Sequence, residues 1–141
     1  MGNMTDGLTF NTLRGANKAR LPEFKNKHGQ QAHSDPDGSD WSPAQWLQAV
    51  VGELGEYANM RKKYERGDLT ADEFAVGAAK ELADIQTYLD ILALRALDLP
   101  GRPHPTGIDL GKATEAKFNE VSERVGSRIR IYDGDWHRLP F

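Results

Sequence analysis

The sequence predicts an all-α fold, a bundle of about four helices that forms one domain over residues 1–141. Apolar residues recur at steps of three and four along most of the chain, which is the spacing of one helix face. Ser, Thr and Asp stand where helix caps are expected, and Gly and Pro interrupt the pattern between the periodic segments. The length of 141 residues is that of a single domain.

The N-terminal part of the chain is predicted to hold one helix and a long loop. The helix runs from about Thr9 to Ala19 or a little beyond, until Pro22 interrupts the apolar pattern. Residues 28–41 are dense in Gly, Ser, Asp, Gln and His, and they are predicted to form a loop outside the motif core. Loops of this length in compact domains are often functional.

Two capping boxes mark the starts of the second and third helices. In a capping box, a Ser or Thr and a Gln or Glu three residues later satisfy each other's backbone N–H groups. The sequence has this spacing twice, at Ser42 with Gln45 and at Thr70 with Glu73. The second helix is expected to reach about Tyr64, and the third to continue until Pro100. The third carries a core-like apolar stripe, formed by Phe74, Ala78, Leu82, Ile85, Leu89, Leu92 and Ala96.

The fourth helix is predicted between Asp109, which suits an N-cap, and Gly126, which suits the position after the last turn. The tail, residues 127–141, lies outside the motif core. Its residues 128–132 alternate as a short strand does, and an Asp-Gly turn signal follows them.

Composition argues against several classes of function. The net charge of -3 is too small to favour a polyanionic partner such as nucleic acid. No apolar run approaches the length of about 20 residues that spans a bilayer, and the N-terminus lacks the order of a signal peptide. We therefore expect a cytoplasmic protein without a membrane partner. Because the chain has no cysteine, any metal would be bound by oxygen or imidazole.

Two pairs of acidic residues carry the functional prediction. Glu53 and Glu56 are three residues apart on the second helix, and Glu81 and Asp84 have the same spacing on the third, so each pair shares one helix face. A solvated acidic face is the alternative, but it would be expected to bring basic partners, and Glu53 and Glu56 have none within a turn. Four converging carboxylates repel one another unless a cation neutralises them. The sequence therefore predicts a metal site.

The predicted ligands are all oxygen, which selects a hard ion such as Mg²⁺ or Mn²⁺. A di-iron bundle is disfavoured, because that site uses Glu-x-x-His pairs and no histidine here stands three residues after a glutamate. Either Glu53 or Glu56 is a candidate general base. Gly52 and Gly55, which each precede an acid of the site, predict a close approach by either a ligand or a helix of a second copy.

A phosphorylated substrate is expected, because Mg²⁺ is commonly shared between carboxylates and substrate phosphates. The fourth helix offers three cations, Lys112, Lys117 and Arg124, and Asn119 adds a neutral donor. For any single one of these cations, a solvated surface position is the alternative. Their clustering on one helix is what favours phosphate binding.

These motifs together resemble the MazG-like all-α nucleoside triphosphate pyrophosphohydrolases. The family's two acidic motifs, ExxE and ExxD on successive helices, have counterparts in the segments from Glu53 to Glu56 and from Glu81 to Asp84. Further matches cover much of the segment from 42 to 126. Lys117, Asn119 and Arg124 resemble the block that engages phosphates, Tyr88 resembles an aromatic lining the nucleotide pocket, and His28 and Trp41 fall where related enzymes place base-contacting residues.

The resemblance implies that water attacks the α-phosphorus of a (deoxy)nucleoside triphosphate and that a nucleoside monophosphate and pyrophosphate are released. It implies Mg²⁺ or Mn²⁺ as cofactor, with more than one ion when substrate is bound. It also implies a homodimer or homotetramer whose subunits complete the core and the pocket. Among the family's branches, this compact chain most resembles phage-type members that act on dGTP or GTP. A non-catalytic nucleotide- or metal-binding regulator and a purely structural bundle are the rival hypotheses.

Overall fold

The computed structural model describes residues 7–24 and 41–141. These ranges contain helices α1 (Phe10–Arg20), α2 (Pro43–Glu65), α3 (Ala71–Arg95) and α4 (Leu110–Arg124), a 3-10 turn (Leu21–Glu23), and strands β1 (Ile129–Tyr132) and β2 (Asp135–Arg138). The all-α prediction and its four helices are confirmed for this part of the chain. Except for Trp41, the predicted loop at 28–41 lies outside the described residues, and so does His28. None of the helices in the described ranges is long and apolar enough to cross a membrane.

Local side-chain bonds explain where the helices begin. The Ser42 hydroxyl accepts from the Gln45 backbone N–H at 3.4 Å, and the Gln45 side chain accepts from the Ser42 N–H at 2.8 Å. Thr70 and Glu73 make the same pair of bonds at the start of α3. Asp109 caps α4 by accepting from the Lys112 N–H at 3.0 Å. The capping prediction is therefore confirmed at all three sites.

Helix α3 ends earlier than predicted, at Arg95 rather than at Pro100. The residue before a proline is disfavoured in the helical region, and here Leu99 instead pairs with Arg102 in two backbone hydrogen bonds of 3.0 and 2.8 Å. Gly101, with a φ of +68°, allows the tight turn between them.

Helices α2 and α3 form an antiparallel hairpin joined by the short turn at 66–70, and the core lies at one end of it. Leu21, Trp46 and Ile91 are buried there. Partly buried side chains surround them, namely Trp41, Ala49, Tyr88, Leu92 and Leu94. Burial of these large apolar side chains is the dominant stabilising term for this end of the bundle.

A buried polar network fastens α1 to α3. The Asp90 carboxylate, of which 1% is exposed, accepts from Arg14 Nε at 3.0 Å and from Asn17 Nδ2 at 2.9 Å. Arg14 also donates through Nη2 to the Ile108 carbonyl at 2.7 Å. The network therefore links the loop before α4 to the same buried acid.

The tail forms an antiparallel hairpin in which β1 pairs with β2. Sequence analysis predicted the first strand and the turn, and both are confirmed; the second strand was not predicted. Asp133 and Gly134 make the turn with φ values of +52° and +81°, which suits a two-residue hairpin loop. The side-chain amide of Asn119 donates to the Ile131 carbonyl and accepts from its N–H, both at 2.8 Å, and so fixes β1 to α4.

The predicted apolar stripe of α3 is only partly in the core. Ala78 is buried, but Leu82 and Leu89 are 52% and 36% exposed. These two leucines are seven residues apart and therefore share a helix face, which the described part of the chain leaves partly exposed. Helix α2 has its own exposed apolar side chains, namely Leu47, Val51 and Leu54.

Candidate metal centre

The α2/α3 hairpin brings three of the four predicted acids together. Glu53 projects from α2, and Glu81 and Asp84 project from α3. One carboxylate oxygen of each lies within 4.8 Å of those of the other two. We call these three residues the carboxylate cluster. Its geometry is that of a site able to hold a cation on oxygen ligands.

The surroundings of Glu53 disfavour its negative charge. Burial, a hydrogen bond with Glu81 and the negative charges of Glu56, Asp84 and Glu81 together raise the pKa of Glu53 to about 7, and burial is the largest of these causes. Its Oε2 atom is buried and meets no hydrogen-bond donor among the residues at 7–24 and 41–141. A buried carboxylate oxygen without a donor is unfavourable, and a bound cation would relieve it.

Glu56 lies outside this cluster. Its side chain is exposed, although its charge contributes to the raised pKa of Glu53. Its predicted role as a fourth metal ligand therefore stays a prediction.

An aromatic row borders the carboxylate cluster; it consists of Tyr88, Trp46 and Trp41. Burial raises the pKa of Tyr88, and the charges of Glu53 and Asp84 raise it further, so Tyr88 lies beside the acids. The Trp46 ring lies 6.1 Å from that of Tyr88, and the Trp41 ring lies 5.0 Å from that of Trp46. Both predicted pocket aromatics, Tyr88 and Trp41, thus belong to one continuous row.

The predicted phosphate-binding residues of α4 do not join the cluster within one chain. Helix α4 packs against β1 and α1, and no ion pair between described residues connects it to the cluster. Lys117 pairs with Glu120 on the same helix at 2.5 Å, both exposed. Lys112 and Arg124 are exposed, and the Asn119 amide is engaged by β1. Their roles toward substrate stay predictions.

Sequence analysis did not identify two residues near the site. The positive charge of Arg20 lowers the pKa of Tyr88, which places this side chain of α1 in the electrostatic surroundings of the cluster. A cation two residues before Pro22 was the available signal. Trp46 had no predicted role, yet it is the central ring of the aromatic row.

The two glycines of α2 lie in open space. A Cβ atom built at Gly52 or at Gly55 would meet nothing within 4 Å. Crowding within the described chain therefore does not explain them. Access for a ligand and contact with a second copy both remain as explanations.

Comparison with known proteins finds no match for this chain: no family model, no curated protein and no solved structure matches it.

Proposed function

We propose that this protein is a metal-dependent nucleoside triphosphate pyrophosphohydrolase, which cleaves between the α- and β-phosphates and releases a nucleoside monophosphate and pyrophosphate. The carboxylate cluster is the observation that carries the proposal. Three oxygen ligands converge, and the buried Oε2 of Glu53 has no donor in the described chain. The resemblance of the acidic motifs to MazG-like enzymes adds the reaction type.

The residues present fit a hard divalent cation. Glu53, Glu81 and Asp84 would hold it, and all three offer oxygen, as Mg²⁺ and Mn²⁺ prefer. When bound, such ions lower the pKa of water and stabilise charge on phosphoryl oxygens. We expect more than one ion with substrate bound, because a triphosphate brings additional oxygen ligands.

Glu56 is the better candidate for the general base. Glu53 is committed to the cluster, whereas the Glu56 carboxylate is exposed, lies outside it and projects from the same face one turn away. A carboxylate in that position can accept a proton from a water molecule that attacks the α-phosphorus. Glu53, in contrast, would hold and orient the metal ion.

Phosphate binding by α4 would require a second copy of the chain. Within one chain, Lys112, Lys117 and Arg124 lie on a helix that packs against α1 and β1, and no ion pair between described residues connects it to the carboxylate cluster. We therefore assign these cations, as substrate ligands, to the site of a neighbouring subunit. A homodimer is the simplest such assembly, and a homotetramer built from two dimers also satisfies the requirement.

The exposed apolar side chains support this assembly. Leu47, Val51 and Leu54 follow steps of four and three on α2, so they form one stripe. Contiguous apolar surface of this kind is uncommon on monomers and marks interaction sites. The stripe lies on the helix that also carries Gly52 and Gly55, where small residues allow close approach of another helix.

The experiment is to incubate the protein with each canonical and deaminated (deoxy)nucleoside triphosphate, with Mg²⁺, with Mn²⁺ or with a chelator, and to resolve the products by chromatography. We expect monophosphate and pyrophosphate as first products, only with metal, and dGTP or GTP as the favoured substrates by resemblance. Diphosphate with orthophosphate as first products would exclude the mechanism.

One alternative has support from the same structure. A nucleotide- or metal-binding regulator would keep the carboxylate cluster and would not need the α4 cations beside it, as observed within one chain. It predicts that nucleotide with Mg²⁺ raises the melting temperature without any turnover. The chromatographic assay together with a melting series separates the two functions.

A further inference from the structure

The hairpin arranges its functional groups in a linear order. On α2, Trp46 precedes Glu53 by seven residues, which corresponds to about 10 Å along a helix. On α3, Tyr88 follows Asp84 by one turn. Since the two helices are antiparallel, acids face acids and aromatics face aromatics, and the row ends at Trp41. An extended nucleotide with its phosphates at the carboxylate cluster would therefore reach the aromatic row with its base.

The far end of the row is held by a buried ion pair. Arg95, 5% exposed, donates through Nη2 to the Trp41 carbonyl at 3.1 Å. Its Nε pairs with Asp98 at 2.5 Å, and both side chains are 6% exposed. The other Asp98 oxygen accepts from the His104 N–H at 2.8 Å. Helix α3, the loop after it and the residue before the α2 cap therefore meet at one guanidinium.

We propose that Arg95 and Asp98 are positioning residues that fix Trp41 as the stacking surface for the base of the nucleotide. This inference rests on the proposed function. Trp46 is only 1% exposed and offers no face to a ligand, whereas Trp41 keeps part of its surface in solvent. An aromatic face binds any base by stacking, provided that its orientation is fixed before the ligand arrives.

A lysine cannot replace this arginine. The guanidinium is a planar fork that donates to the carboxylate and to the carbonyl at the same time, whereas an ammonium is a single point charge. Arg95→Lys keeps the charge but not both bonds, so Trp41 should lose its fixed position. Asp98→Asn keeps an acceptor for His104 and weakens the hold on Arg95, so its effect should be smaller and in the same direction.

The experiment compares Arg95→Lys and Asp98→Asn with Arg14→Lys in a Trp136→Phe background. Arg14 is the matched control, because it also pairs with a buried aspartate, Asp90, but bonds to the other end of the loop. Trp136 is 62% exposed in the tail hairpin, and its removal leaves Trp41 and Trp46 as the fluorescent reporters. Steady-state kinetics, acrylamide quenching and the Mg²⁺-induced melting shift are measured for each protein.

We expect Arg95→Lys to raise KM for the nucleotide about tenfold while kcat changes less than about threefold, because the substitution weakens nucleotide binding and leaves the chemical step unchanged. Acrylamide quenching should increase, and the Mg²⁺-induced melting shift should stay that of the parent. Asp98→Asn should show the same pattern at smaller amplitude. If Arg95→Lys does not fold, Asp98→Asn alone tests whether the ion pair positions Trp41. Arg14→Lys should change neither KM nor quenching.

Equal KM changes in the Arg95 and Arg14 variants would overturn the proposal, and so would unchanged KM and quenching in both Arg95→Lys and Asp98→Asn. If the parent turns over no nucleotide, the proposed function fails, and KM no longer reports on base stacking. The quenching measurement still decides whether Arg95 and Asp98 fix Trp41, so the two failures are distinguishable.

Discussion

Two acids of this molecule, Asp90 and Glu53, differ in how their charge is compensated. Asp90 is 1% exposed and receives hydrogen bonds from Arg14 and Asn17, so its charge is balanced by the fold. Glu53 has three acidic neighbours, a pKa raised to about 7 and a buried oxygen without a described donor. The fold compensates the charge of the buried Asp90 but not that of the partly exposed Glu53, and this difference is why we propose that Glu53 binds a cation.

Substitutions in the carboxylate cluster should have the largest effect, and that effect is on turnover. We expect Glu53→Gln and Asp84→Asn to lower kcat by about a thousandfold or more, since each removes a charged ligand of the proposed ion. Mg²⁺ should raise the melting temperature of the parent and that of each variant far less. The matched control is Glu65→Gln on the same helix as Glu53, where the glutamate only pairs with exposed Arg61. Variants with parent-like turnover and metal response would remove the cluster from the function.

The next effect is on stability and has opposite signs at the two acids. Asp90→Asn should lower the free energy of unfolding by about 3 kcal/mol, because it leaves the partly buried Arg14 without its counter-ion. Glu53→Gln should leave the metal-free protein as stable as the parent or more stable, because it removes repulsion among the acids. Urea denaturation with chelator present measures both. Equal destabilisation by the two substitutions would show that Glu53 is balanced by the fold as Asp90 is.

A pH titration of stability sharpens the same contrast. The folded pKa of Glu53 is about 7 against an ordinary value of 4.5, so the folded chain binds more protons than the unfolded chain between these values. The contribution of Glu53 to stability is fully present below the ordinary pKa of 4.5. It is lost as pH rises through the folded pKa of about 7. Solvent screening of the partly exposed carboxyl reduces the loss to about 1–2 kcal/mol.

The measurement is the free energy of unfolding of the metal-free parent minus that of Glu53→Gln, from about pH 5 to about pH 8. We expect this difference to fall as pH rises and to level off above the folded pKa. A difference that stays constant across the range would mean that Glu53 is ionised at its ordinary pKa and that the cluster does not repel.

Sequence reasoning succeeded where the determinants are local. Capping boxes are contained within four residues, so the helix starts at Ser42 and Thr70 could be predicted from the sequence. Convergence of Glu53 with Glu81 and Asp84 followed from two acidic pairs on helices joined by a short turn. The antiparallel packing of α2 against α3 then brings the acids of the two helices to the same level of the hairpin.

Long-range partners could not be predicted in this way. Arg14 and Asp90 are 76 residues apart, and nothing around either residue signals the other. The same limit applies to Leu82 and Leu89, because helical periodicity identifies an apolar face but not what covers it. The position of Glu56 outside the carboxylate cluster could not be predicted either, because the spacing of an ExxE pair does not say which of its two carboxylates reaches a neighbouring helix.

The smallest expected effect on stability is at Lys117, and its neighbour Asn119 provides the comparison. Lys117→Ala removes an exposed pair with Glu120, so the free energy of unfolding should change by no more than about 0.5 kcal/mol. Asn119→Ala should cost about 1–2 kcal/mol, because it removes both hydrogen bonds that the Asn119 side chain makes to the backbone of Ile131.

If Lys117 binds substrate phosphates from a neighbouring subunit, Lys117→Ala should nevertheless lose nucleotide affinity, seen as a raised KM. Mixing Lys117→Ala with Glu53→Gln subunits tests this directly: each is defective alone, and a site shared between subunits should regain part of the parental turnover in the mixture. Without any regain, the site would not be shared between subunits, and the assignment of Lys117 to the site of a neighbouring subunit would be wrong.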